Sequence, residues 1–523
     1  MRNFCVIIAV AALSLVLLSA CGRSSGEDIT PIQYALNAAN TRRAGIVKPD
    51  YNMLLPFTEG REQIDYDMAK LIAEMGGEEY LVQFVANLLA PVERASSVTR
   101  EQAIYDAEIL LMLLRISYGA YTYYGGDEVF LPMFESIFDT LDTSRQWTAG
   151  RSGNFQLVLH TFISQVIADN HFTIGGRHLG SENYSPAHTT TYGTVATFFV
   201  GEIGFDFGND RFRSRETDMY ILEVVGHDVN ELFRLSIDDE GELSYIPVLV
   251  VPGRDGGREF PITVVYENGE QEIVNLLRHN PTRRNYQSPS LKWVDEIPVV
   301  TIMSMQSYPN VPEARQFLAY AYELKNEPVV IVDVRSNHGG NNLLSAQWLH
   351  IMSGEVVPSN SVILQMGNHQ ETMEALAAVP SDSLQYRPIA DFMTYHPTTP
   401  LGDYHFVWNY TADRLVPNDQ LIILLTDRYT ASAGEGFVDF VLNLENTLII
   451  GQNTAGVAHK IAGAAFFLPN SGVPVHFGPG IAFFPEGLFA EGVGYAPDIW
   501  TVGDALDAAL AFVKRNDLTF LGN

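Results

Sequence analysis

Thr430-Ala431-Ser432-Ala433-Gly434-Glu435 follows the apolar run Leu421-Ile422-Ile423-Leu424-Leu425 and opens a helix-like stretch from Gly436 to Leu444. A small serine at the junction of a buried strand and a helix N-terminus meets backbone N–H groups that the helix leaves unpaired, and such groups can hold an oxyanion. The chemistry on offer is nucleophilic attack on a carbonyl, with Ser432 as the nucleophile. A second strand-like run, Val329-Val330-Ile331-Val332, leads directly into Asp333-Val334-Arg335-Ser336-Asn337-His338-Gly339-Gly340-Asn341. Paired glycines admit a substrate backbone where a Cβ would block it, and they can turn an N–H toward developing negative charge. The candidate oxyanion hole is therefore the N–H of Gly339 or Gly340 together with that of Ala433.

The serine segment resembles the nucleophile motif of the tail-specific, or C-terminal-processing, serine peptidases. That family pairs its serine with a lysine inside Gly-x-x-Thr-x-Gly-Lys-Gly. The matching stretch here is Gly451-Gln452-Asn453-Thr454-Ala455-Gly456-Val457-Ala458, so Val457 stands where the lysine would be. The turn after Val332 resembles the family's D-x-R-x-N-x-G-G segment, and Glu491-Gly492-Val493-Gly494-Tyr495-Ala496-Pro497-Asp498 resembles its E-G-x-G-x-x-P-D segment. Asp169-Asn170-His171 resembles the D-x-H segment of the tricorn-core-like branch, which lacks the lysine, and Leu468-Pro469-Asn470-Ser471-Gly472 resembles another stretch of that branch.

The branch resemblance implies His171 as general base and Glu491 as its supporting carboxylate. In triad logic such a carboxylate fixes the imidazole tautomer and stabilises the imidazolium formed on attack. Branch members often carry a serine beside the histidine to relay this contact; Asn170 stands there, so an amide, a water or a direct contact must connect Glu491 to His171. Lys460, the only lysine between Ser432 and Val513, is a rival base three positions beyond Val457, and His459 is another. A catalytic lysine would have to be desolvated to lower its pKa.

The resemblance implies an α/β fold: a crotonase-like (ClpP-like) catalytic core with an N-terminal helical region and a β-rich, PDZ-like insertion. The activity it implies is a serine endopeptidase acting on peptides or unfolded protein ends, through an acyl-enzyme. No cofactor is implied, and no metal, since the histidines lack ligand spacing such as His-Glu-x-x-His. The reading from another class is an inactive envelope lipoprotein that keeps the fold to bind peptides or other ligands; a third is a lipid-anchored scaffold for a surface partner.

The whole chain bounds these readings. Its 523 residues predict two or three domains. A composition 46% hydrophobic and 18% charged is that of a globular chain, and a formal net charge of -30 argues against nucleic acid as a partner. Arg2, the apolar stretch Val6 to Leu18 and then Leu18-Ser19-Ala20-Cys21 resemble a bacterial lipoprotein signal, with Cys21 the lipidated residue. This predicts attachment to a membrane of the bacterial cell envelope through an N-terminal lipid, with exposure to periplasm or exterior. The two cysteines are Cys5 and Cys21; with one removed and the other acylated, no disulfide or thiolate site is left.

The texture of the sequence changes along the chain. Residues 1–20 read as signal peptide and 21–29 as a Ser/Gly-rich tether. Residues 30–189 form a helical region, with periodic apolar residues over Glu101 to Ile116 and Val129 to Leu141, ending in the His171 segment. The tyrosines at 118, 121, 123 and 124 read as a packed helix end. Residues 190–290 read as a β-rich insertion. Within it Asn268-Gly269 predicts a hairpin with a type I′ turn, and Tyr220 to Val229 resembles a PDZ strand-turn with no carboxylate-binding loop upstream. Residues 291–515 alternate strand and helix and form the α/β core, with strands predicted over Ile297 to Met303 and Pro328 to Val334 and a helix over Val311 to Lys325.

Overall fold

The structure is a computed structural model that describes residues 29–47, 90–179, 195–199, 205–208, 211–252, 259–279, 283–305, 312–366, 404–408, 415–460, 463–478 and 480–517, with 70, 73, 87 and 88. The signal sequence, Cys5, Cys21 and the tether through residue 28 lie outside the described residues. Among the described residues no helix is long and apolar enough to cross a membrane.

A parallel sheet runs through the core in the order 297–301, 329–333, 421–426, 447–451, 499–501, with the antiparallel strand Ser290–Val294 on its outer edge. All five residues of Val329–Asp333 and all six of Leu421–Thr426 are buried. This follows from cover on both faces, which asks for continuous apolar runs rather than alternation. Val330, Val332, Ile422 and Leu424 point to one side and pack under the helices Pro312–Leu324, Leu343–Ser353 and Ala433–Val441. Ile331, Ile423, Leu425 and Leu448 point to the other, where Pro31–Ala44 and Ala505–Arg515 cover them. Each such side chain contributes about 1.5–3 kcal/mol on burial.

The helical region folds against the C-terminal third of the chain. Arg100–Ser117 begins in a capping box between Thr99 and Gln102, and with Gly126–Asp142 and Asn154–Ile163 it packs on Phe466, Val475, Phe477 and Ile481. The short strand Thr173–Ile174 pairs antiparallel with Pro474–Phe477, placing Thr173 opposite His476. That pairing carries the neighbouring His171 to the edge of the core.

The β-rich insertion over residues 190–290 joins the core sheet: Phe233–Ile237 lies parallel to Ile499–Thr501, and the 14-stranded sheet of the described residues continues from there through 243–252, 195–199, 271–278 and 259–266 to 221–224. One expectation within it needs correction. The hairpin between Glu259–Tyr266 and Gln271–Arg278 exists, but only Gly269 is left-handed, at φ 85°, while Asn268 is not. Its N–H donates to the Tyr266 carbonyl, and Tyr266 N–H to that of Glu270, so the loop is a bulged turn rather than type I′. A two-residue hairpin loop with both positions left-handed occurs instead at Asp295 and Glu296, at φ 48° and 68°.

Candidate active site

Ser432 sits at the top of the core sheet with φ 54° and ψ -117°, as the residue before the helix Ala433–Val441. A serine in this region costs about 1–3 kcal/mol and persists only where the surroundings hold it. Two sets of bonds do so. Asp427 accepts the N–H and hydroxyl of Ser336 at 2.9 and 3.2 Å, Thr430 Oγ1 donates to the Val334 carbonyl at 2.9 Å, and Ala431 N–H donates to the Asn337 carbonyl at 2.8 Å. These tie the turn after strand 421–426 to the turn after strand 329–333.

The second set converges on Glu435. Its carboxylate accepts the Ser432 N–H at 3.1 Å, the Thr454 hydroxyl at 2.6 Å, and the N–H groups of Gly456 and Val457, both at 2.7 Å. Burial pushes this carboxyl up to about 7 while all four donors pull it down. Four donors aimed at one group are the surroundings of an ionised acceptor. Val457, in the lysine position, is buried with Ala431 and Ala455.

Gly339, at φ 96°, packs directly on the serine: a Cβ built on it would lie 2.7 Å from Ser432 Cβ and 3.0 Å from Ser432 Oγ. Its own N–H is taken by Asn337 Oδ1 at 2.8 Å, while Asn337 Nδ2 donates to the Ile302 carbonyl. Of the two candidate glycines, Gly340 is therefore the one whose N–H has no acceptor among the described residues, and the same is true of Ala433.

His171 Nε2 lies 3.2 Å from Ser432 Oγ. Asp169 fixes the segment by accepting the N–H groups of His171 and Phe172 at 2.7 and 3.2 Å and the Tyr118 hydroxyl at 2.9 Å, and His476 Nδ1 contacts the His171 carbonyl at 3.0 Å. Burial lowers the His171 pKa; Asp169 and the backbone of Lys460 raise it, and His476 and His178 lower it further. The imidazole is thus neutral near pH 7 and free to accept a proton. Its Nδ1 has no partner within hydrogen-bond geometry, although the Lys460 backbone lies near enough to act on the ring.

Glu491 lies beside this histidine without bonding to it. Its Oε1 accepts Asn170 Nδ2 at 3.2 Å and its Oε2 accepts the His459 N–H at 3.1 Å. Asn170 therefore holds the carboxylate by its amide, as a donor only. Burial raises the Glu491 pKa to about 7; Lys460 opposes the rise, and Asp169 and Glu435 add to it.

Among the described residues neither rival base bonds to the serine. An isolated bridge between Lys460 and Ile481 sets the backbone, and Lys460 Nζ lies 3.1 Å from His459 Nδ1, with Tyr123 and Tyr124 ring centroids 5.7 and 5.6 Å away. His459 packs edge-on against Tyr123 and Phe483, and burial beside Lys460 pushes it down to about 3. The tyrosine cluster read as a packed helix end thus does more than pack: Tyr118 holds Asp169, and Tyr123 and Tyr124 flank Lys460. Glu435 and Asn337 were missed as site residues. The available signal for Glu435 was an acid three positions after a serine that opens a helix, the spacing of a capping box.

The sequence model described as Peptidase family S41 matches residues 296–501. Over that stretch the chain is similar in sequence to the S41 peptidases. No curated protein matches the chain in sequence. Among solved structures, mature CPAF complexed with lactacystin is 14% identical, covering 80% of this chain and 97% of its own, with a TM-score of 0.37. The photosystem II D1 C-terminal processing protease is 13% identical over 82% of this chain and 98% of its own, with a TM-score of 0.34. The tricorn protease is 13% identical over 81% of this chain and 37% of its own, with a TM-score of 0.29. The S41 match begins at Glu296, in the turn just before the strand Ile297–Thr301, and ends at Thr501, the last residue of the strand Ile499–Thr501. His171 lies upstream of it, delivered by the 173–174 strand.

Proposed function

We propose that this protein is a serine endopeptidase of the bacterial cell envelope, anchored by a lipid on Cys21 and cleaving peptides or unfolded protein ends. The observation that carries the reading is the 3.2 Å contact between His171 Nε2 and Ser432 Oγ, from residues 261 positions apart. Ser432 Oγ attacks the scissile carbonyl as His171 Nε2 takes its proton. The N–H groups of Gly340 and Ala433 stabilise the oxyanion. His171 returns the proton to the leaving amine, and water then releases the acyl group by the same steps.

Glu491 acts here through space and through Asn170. Its carboxylate is held by the amide of the residue next to His171, while Asp169 and the Lys460 backbone are the groups that favour the imidazolium. The experiment is turnover of casein or an unstructured peptide by the soluble form from residue 24 onward, beside Ser432→Ala and His171→Ala. Loss of turnover in both variants is expected. Equal turnover in all three sinks the reading.

A further inference from the structure

Lys460 is a buried cation without a carboxylate against it. The residue is 4% exposed, and its ammonium makes no direct ion pair among the described residues. What it touches is a neutral imidazole and the faces of two tyrosines. Taking an ammonium out of water is costly, and cation–π contacts return only part of that cost. The remaining compensation must come from carboxylates one layer out, of which two are near.

Asp169 is occupied by the Tyr118 hydroxyl and two backbone N–H groups. Glu491 has the Asn170 amide and the His459 N–H, and it reaches Lys460 through one residue: the ring of His459 faces the ammonium while its backbone faces Oε2. We infer that Lys460 is a positioning residue for the peptidase reaction, the counter-charge that keeps Glu491 a carboxylate behind His171. The inference rests on the peptidase reading above. It gives the lysine a role without contact to the serine.

The groups that face Glu491 fix the direction of the effect. Asp169 and Glu435 disfavour its ionised form, Lys460 and the His459 N–H favour it, and the phenols of Tyr118, Tyr123 and Tyr124 border it. The ionised form supports catalysis, so activity is present above the folded pKa, about 7, and lost as pH falls through it. His171 titrates lower and does not set this limb. Removing the lysine moves the limb upward.

The test is the pH dependence of Ser432 phosphonylation by a fluorophosphonate, in which Oγ displaces fluoride from phosphorus, read on wild type, Lys460→Met, Lys460→Arg, and Lys460→Met in a Glu491→Gln background. In Lys460→Met the acid limb is expected to rise by about one pH unit or more, slowing phosphonylation about tenfold at neutral pH with recovery in alkali. Lys460→Arg restores the limb, and in Glu491→Gln the added Lys460→Met moves nothing. Where Lys460→Met does not fold, Lys460→Gln, which keeps a donor toward His459, takes its place. A uniform loss at every pH, with the limb unmoved, means a structural role and overturns the inference. A wild type that shows no Ser432-dependent phosphonylation at any pH overturns the peptidase reading itself.

Discussion

Gly339→Ala tests the site through a single methyl group. The new Cβ would stand 2.7 Å from Ser432 Cβ, 3.0 Å from its Oγ and 3.2 Å from the Ala431 carbonyl oxygen. Carbon atoms rest at about 3.5 Å or more, so the two must part by about 0.8 Å, which is 3.5 minus 2.7. The alanine must also hold φ near 96°, at a cost of about 1–3 kcal/mol. Neither neighbour yields easily, because Gly339 N–H is fixed by Asn337 and Ser432 N–H by Glu435. Misplacing a nucleophile by about 1 Å costs about a hundredfold in rate, so attack by Ser432 should slow about a hundredfold while the far-ultraviolet circular dichroism stays that of wild type. The assay is fluorophosphonate labelling with peptide turnover alongside. A variant that labels at the wild-type rate refutes both the packing of Gly339 on the nucleophile and the oxyanion geometry built on it.

Glu435→Gln turns an amide NH2 toward three backbone N–H groups and a hydroxyl that now share a carboxylate. Lost or inverted buried hydrogen bonds cost about 1–3 kcal/mol each, so kcat should drop about tenfold or more with KM little changed, measured by steady-state peptide turnover. Unchanged kcat would mean that the elbow holds without its carboxylate. Arg43→Ala removes a fully buried guanidinium that pairs with Asp498 at 2.6 Å and donates to the Leu444 carbonyl. Breaking such a pair costs about 3–5 kcal/mol, and calorimetry should show a lower melting temperature; an unaltered melting curve would show that the helix Pro31–Ala44 does not help to hold the core.

Where burial is two-sided and the chain is locally consistent, the elements were legible. Pro328 to Val334 and Leu421 to Leu425 read as buried strands because their apolar runs, Val329 to Val332 and Leu421 to Leu425, are unbroken, and the structure places strands at Val329–Asp333 and Leu421–Thr426. Val311 to Lys325 became the helix Pro312–Leu324 for the same reason, an apolar stripe on one face. Ser290–Val294 was passed over because its residues are only partly buried or exposed, and its turn, Asp295-Glu296, lacks the glycine that usually marks such a loop. The join of Phe233–Ile237 to Ile499–Thr501 was out of reach, since strand register between segments more than 260 positions apart leaves no local pattern. Within the site, Ser432 and the glycines were legible from their turns. The amide of Asn170 on Glu491 was one of three contacts the residue types allowed, and only packing selects among them.

The valine at position 457 shows why the missing lysine leaves the scaffold intact. What the 454–457 loop gives the nucleophile is backbone: the N–H groups of Gly456 and Val457, with the Thr454 hydroxyl, meet Glu435, which in turn holds Ser432 N–H. Backbone donors do not depend on the side chain at 457. That side chain faces Ala431 and Ala455, an apolar contact that valine fills and an ammonium would have to desolvate. Three residues on, Lys460 has a place for a cation: tyrosine faces, an imidazole acceptor, and a carboxylate beyond it. The positive charge near this serine thus stands behind the histidine rather than beside the nucleophile, which is where a Ser–His mechanism can use it.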